Sequence, residues 1–85
     1  SFLKLSDSEL LRLDDMLNEL KSIREGMIID EIIAYAIKLM KFAEQYQSGK
    51  LRELANEIKY FSEAFMIDRL TISFNKLEEI IRKLK

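Results

Sequence analysis

Leu51 to Phe65 reads LRELANEIKYFSEAF, and this stretch decides the fold. Leu51, Leu54, Ala55, Ile58, Ser62 and Phe65 recur at helical spacing and form one narrow face that includes small residues. Neither proline nor glycine interrupts the stretch, so nothing in it opposes a helix. Asn56 points almost directly away from the apolar face. A helix that is apolar along one side must bury that side, so its partners lie elsewhere in the chain.

Working outward, Gln47-Ser48-Gly49-Lys50 is a short polar turn, which implies an antiparallel neighbour. That neighbour carries two apolar stripes. Ile29, Ile33, Ala36, Met40 and Ala43 form one; Ile32, Tyr35, Leu39, Phe42 and Tyr46 form the other. A helix over about residues 29–46 that is apolar around more than half its circumference contacts two partners, and it is predicted to be the most buried of the set. Met27-Ile28-Ile29 is an apolar joint predicted to tuck into the core, with Asp30 as N-cap or first-turn acid. Further upstream, Ser6 and Glu9 have the spacing of a capping box. Leu10, Leu13, Leu17 and Leu20 follow, with Met16 and Ile23 widening the stripe, and predict a helix over about residues 7–24. Gly26 is predicted to supply the left-handed residue that ends it.

Downstream, the helix that opened this reading is predicted over about residues 50–65. Asp68 is then the expected N-cap of a last helix over about residues 68–84, with Ile67 as hydrophobic staple. Ile67, Leu70, Phe74, Leu77, Ile81 and Leu84 repeat in a bundle-seam pattern. The fold class is therefore all-α, with residues 1–85 forming a single antiparallel up-down-up-down four-helix bundle.

Composition bounds the function. Eighty-five residues make one domain. An apolar fraction of 48% supplies a core, and 34% charged residues cover it. There is no cysteine, hence no disulfide framework and no thiolate metal site. A net charge of −1 gives no electrostatic reason to expect nucleic acid or anionic lipid as a partner. No apolar run approaches the ~20 residues of a membrane span, and the first residues lack a secretion signal's apolar stretch. Since the chain does not begin with methionine, it is expected to be a piece of a larger multidomain protein; the absence of cysteine fits a reducing compartment such as the cytoplasm.

Histidine is absent, which removes the usual general base, the Ser-His and Cys-His nucleophile pairs, and the Glu-x-x-His units of di-iron bundles. The members of the acidic pairs Asp14-Asp15, Asp30-Glu31 and Glu78-Glu79 splay by ~100° on a helix and read as solvated surface. Arg82, Lys83 and Lys85 complement the negative end of the last helix. No glycine-rich phosphate loop exists. The residue inventory thus points away from an enzyme, a metal site or a cofactor. Leu11, Ile37, Tyr60 and Ile72 fall off the main apolar faces and would mark a docking or self-association patch if they cluster.

From about Ile29 onward the chain resembles the histidine phosphotransfer (Hpt) domains of two-component signalling, in the degenerate form found at the C-termini of hybrid sensor histidine kinases. Leu51-Arg52-Glu53-Leu54-Ala55-Asn56-Glu57-Ile58-Lys59-Tyr60-Phe61-Ser62 aligns with that family's Leu-x-x-x-Ala-His-x-Leu-Lys-Gly-Ser-Ala helix. Leu39-x-x-Phe42-Ala43-Glu44-Gln45-Tyr46 resembles the helix before it. Phe65-Met66-Ile67-Asp68-Arg69-Leu70 and Leu77-Glu78-Glu79-Ile80-Ile81 resemble the turn and last helix. The resemblance implies a role in a phosphorelay and a partner that is a response-regulator receiver or a kinase core domain, in the same chain or another.

The departures from the family are specific. Asn56 stands where the family has its phosphoacceptor histidine, and an amide cannot take a phosphoryl group as an imidazole nitrogen does. Lys59 matches the family's lysine. Tyr60 replaces a glycine that permits close approach of a receiver. The resemblance thus implies a non-catalytic domain with Asn56 as a pseudo-phosphoacceptor position and Arg52, Lys59, Tyr60 and Glu63 as its docking surface. Two other readings remain open: Asn56 as an ordinary exposed helix residue, and the chain as a structural or oligomerisation bundle.

Overall fold

The computed structural model describes residues 5–85, and the reading of the first residues as lacking a secretion signal falls partly outside them. Among the described residues there are four helices: α1 (Asp7–Gly26), α2 (Ile29–Gln45), α3 (Gly49–Glu63) and α4 (Ile67–Leu84). The 20 residues of α1 span about 30 Å at 1.5 Å per residue. That length fits only along the 36 Å long axis of the molecule. The chain is an all-α four-helix bundle.

Specific pairs fix the helix directions. Tyr46 meets Glu9, Arg12 meets Gln45, Tyr35 meets Met16 and Lys38 meets Glu19, so numbers rise on α1 as they fall on α2. Arg24 meets Asn75 and Glu78 while Asp14 meets Lys85, so α1 and α4 are also antiparallel. The core collects Leu13, Leu20 and Ile23 from α1 with six residues of α2, Ile32, Tyr35, Ala36, Leu39, Phe42 and Ala43. Leu51, Leu54, Ala55, Ile58 and Ser62 come from α3, and Leu70, Ser73, Phe74, Leu77 and Ile81 from α4. As the double stripe predicted, α2 buries the most residues; α1 is the most peripheral. Fully burying one Leu or Ile contributes about 1.5–3 kcal/mol.

The α1 start forms as read from the sequence. The Glu9 amide donates to the Ser6 hydroxyl at 3.3 Å, and the Ser6 amide donates to Glu9 Oε1 at 2.9 Å. Its end differs. Gly26 is the last helical residue, and Met27, with φ 51°, takes the left-handed position. The Met27 amide donates to the Ile23 carbonyl at 2.8 Å, the single bond of an αL cap. That cap pairs the side chains of its first and last residues: Ile23 is buried, and Met27 packs half-buried against the same core. Glycine at 27 would forfeit that contact.

The α3–α4 corner departs in the same manner. The Met66 amide donates to the Phe61 carbonyl at 2.8 Å and the Phe65 amide to Ser62 at 3.1 Å, a Schellman motif with Phe65 left-handed at φ 55°. Phe61 packs against the core, and Met66 is half-buried beside it. Phe65 turns outward and is 70% exposed, so it does not belong to the α3 core face. Since the Met66 carbonyl already accepts from Leu70, α4 starts at Ile67. Asp68 is therefore a first-turn acid and not the N-cap, which is Met66 without a side-chain bond. Ile67 lies above the end of the core and is 43% exposed, so it drops out of the seam. In the α1–α2 joint, Met27 and Ile29 pack inward as expected, whereas Ile28 is 51% exposed. Asp30 is a first-turn acid of α2, and Ile28 is its N-cap.

Candidate functional site

The outer surface of α3 is presented by what lies beneath it. Ala55 and Ser62, both buried, let α3 lie close to its neighbours, and the Ser62 hydroxyl is satisfied by donating to the Ile58 carbonyl at 2.6 Å. Ser48 caps the helix start by accepting the Leu51 amide at 3.2 Å. With Leu51, Leu54 and Ile58 fully buried, the opposite side of α3 can only face solvent. Arg52, Asn56, Lys59, Tyr60 and Glu63 are all exposed there.

These five residues share one exposed side of α3. At 100° per residue they span an arc of about 100°, and a groove along its edge takes in two of them. Asn56 and Lys59 line an open groove of about 370 Å³ between α2 and α3, together with Ala36, Ile37, Met40, Lys41, Glu44 and Ala55. Arg52, Tyr60 and Glu63 are not among the lining residues. Tyr60 sits on the far flank of Asn56, 63% exposed, with its ring edge-on to Phe61 at 5.8 Å.

The groove has an apolar floor and a charged rim. Ile37, 45% exposed, and half-buried Met40 supply the apolar area. Lys41 and Lys59 outnumber Glu44, leaving the rim net positive. From the sequence Ile37 reads only as off-face, and Lys41 and Glu44 carry no assignment. Their signal was present: residues 37, 41 and 44 fall at helical spacing beside the Ala36–Met40 stripe.

A second, more polar groove runs between α1 and α4. It is lined by Asp14, Asn18, Lys21, Arg24, Glu25, Glu78, Arg82 and Lys85 among others. Its charges are largely consumed by one another. Arg24 bonds Asn75 at 2.7 Å and Glu78 at 3.4 Å, Arg82 bonds Glu78 at 3.2 Å, and Lys85 pairs with Asp14. Arg24 also lies 5.6 Å over the Phe74 ring. Arg24 and Lys85 thus tie α1 to α4 across the groove.

The shifted titrations lie on the opposite side from Asn56, where α1 meets α2. The Ser6 amide and then the Tyr46 hydroxyl hold the Glu9 carboxyl below its usual range. The bond to Glu9 in turn pushes the Tyr46 phenol up. Burial, with a smaller contribution from Glu19, pushes the Tyr35 phenol up, and its hydroxyl donates to the Met16 carbonyl at 2.9 Å. These groups brace α1.

Among the described residues, no three metal-ligating side chains of the His, Cys, Asp and Glu types come together, and no helix is long and apolar enough to cross a membrane. Comparisons with protein-family models, with curated proteins and with solved structures find no match to this chain.

Proposed function

We propose that the chain is an Hpt-like signalling domain that docks a response-regulator receiver or a kinase core domain on the cytoplasmic side without accepting phosphate. The observation that carries this reading is the α2–α3 groove: Asn56 and Lys59 lie in it beside an exposed apolar floor of Ile37 and Met40. A surface of this kind, an apolar centre with a charged rim, suits a transient protein contact. At its edge stands an amide, which accepts and donates hydrogen bonds but is no nucleophile toward an acyl phosphate. Lys59 remains available to meet an acidic partner site. In this reading Arg52, Tyr60 and Glu63 flank the docking surface rather than line it.

Incubating the domain with a phosphorylated receiver of its signalling system tests the proposal. No phosphate should appear on the wild-type domain, and stable transfer to it would contradict the reading. Asn56→His alone should remain a poor acceptor because the exposed Tyr60 ring beside it would crowd an approaching receiver. Asn56→His with Tyr60→Gly should accept phosphate measurably. The alternative is a self-associating structural module, which would use the exposed Leu11, Ile37, Tyr60 and Ile72, since the α4 seam residues Leu70, Phe74, Leu77 and Ile81 are buried within the chain.

A further inference from the structure

One end of the bundle is apolar in a manner that its fold does not require. The α1–α2 and α3–α4 corners both lie at this end, since α2 and α4 each run antiparallel to α1 and so begin where α1 ends. The corners present Met27-Ile28-Ile29 and Phe65-Met66-Ile67, of which Ile28, Phe65 and Ile67 are exposed. At the other end the α2–α3 corner is Gln47-Ser48. Phe65 occupies a left-handed backbone position at φ 55°. A side chain there is disfavoured and glycine would be cheapest, yet the ring lies in solvent.

The charges around this end also exceed what helix chemistry asks for. Asp30, Glu31 and Asp68 are explained as first-turn acids. Glu25 and Glu63 are not, because they stand in the last turns of α1 and α3, at the negative ends of those helix dipoles. Against these five exposed carboxylates stand Arg69 and Arg24, and Arg24 is already engaged with Glu78 and Asn75.

We infer that this end is a second docking surface, distinct from the α2–α3 groove, and that its occupant is an amphipathic helix of another protein segment, apolar along one face and flanked by lysine and arginine. An acidic rim around an apolar centre attracts that partner, repels a second copy of itself, and repels an anionic membrane. The inference does not depend on the phosphorelay reading.

The probe is a synthetic 18-residue amphipathic helix of leucine and lysine, titrated into the 15N-labelled domain, with a leucine and glutamate counterpart as control. The lysine peptide should shift amides at residues 27–31 and 64–69, bind more weakly as salt rises, and exceed the control at least tenfold in affinity. Phe65→Gly and Ile28→Ser should each lower the affinity severalfold, whereas Leu11→Ser should not. Phe65→Gly should leave the melting temperature unchanged or higher. Shifts centred on the α2–α3 groove, equal binding of the glutamate peptide, or a lowered melting temperature for Phe65→Gly would overturn the inference. So would concentration-dependent dimerisation through the same residues in sedimentation.

Discussion

Among the described residues three have positive φ, each ends a helix, and none is glycine: Met27, Gln47 and Phe65. Met27 is the informative one, because Gly26 stands immediately before it in an ordinary helical conformation. The left-handed position goes to Met27 because its side chain completes an apolar contact with Ile23 that glycine lacks. Gly26 itself is replaceable: a Cβ there would meet only the Ile28 Cδ1 atom, at 4.0 Å. Gly26→Ala should therefore stabilise the fold by about 0.4–1 kcal/mol, mainly by restricting the unfolded chain, read as a higher urea midpoint at unchanged slope. Ala55 is the opposite case, buried with its neighbours against it. Ala55→Leu should cost about 1–3 kcal/mol through overpacking between α2 and α3, visible in the same denaturation curves.

At the scale of the elements, α1 is the helix that buries the fewest residues and makes the most polar side-chain ties to its neighbours. It buries three residues, and its N-terminal turn depends on Glu9, which serves the Ser6 cap and the Tyr46 hydroxyl together. Because Glu9 titrates below its unfolded value of about 4.3, its contribution is complete at neutral pH and fades as pH falls through the lowered folded value. Glu9→Gln keeps the capping geometry but has no charge to lose. The difference in melting temperature between wild type and Glu9→Gln should therefore shrink below about pH 4, while a constant difference from pH 7 to pH 3 would contradict the role. The Ser6–Glu9 cap was legible in the sequence because a capping box is local. So were the stripes of α2 and α4, which depend only on periodicity. The corners were not, since whether Phe65 continues a helical face or leaves it is decided by where the Schellman bonds close. The groove was half legible: Asn56 and Lys59 could be placed on one side of α3, but their separation from Arg52, Tyr60 and Glu63 depends on where α2 lies.

At the scale of the whole molecule, a net charge of −1 conceals an uneven distribution. One end of the bundle is apolar with an acidic rim, the α2–α3 groove has a net positive rim, and the α1–α4 groove is bridged by ion pairs. On the proposed reading, two surfaces of opposite character would let one small domain hold two partners. The measurement that tests the central proposal most directly is a titration of the 15N-labelled domain with the receiver or kinase core domain of its signalling system. The account predicts amide shifts concentrated at Ile37, Met40, Lys41, Asn56 and Lys59, with binding weakened about tenfold by Lys59→Glu, a reversal that costs roughly 1.4 kcal/mol. Shifts confined to other faces, or unaltered affinity for Lys59→Glu, would contradict it.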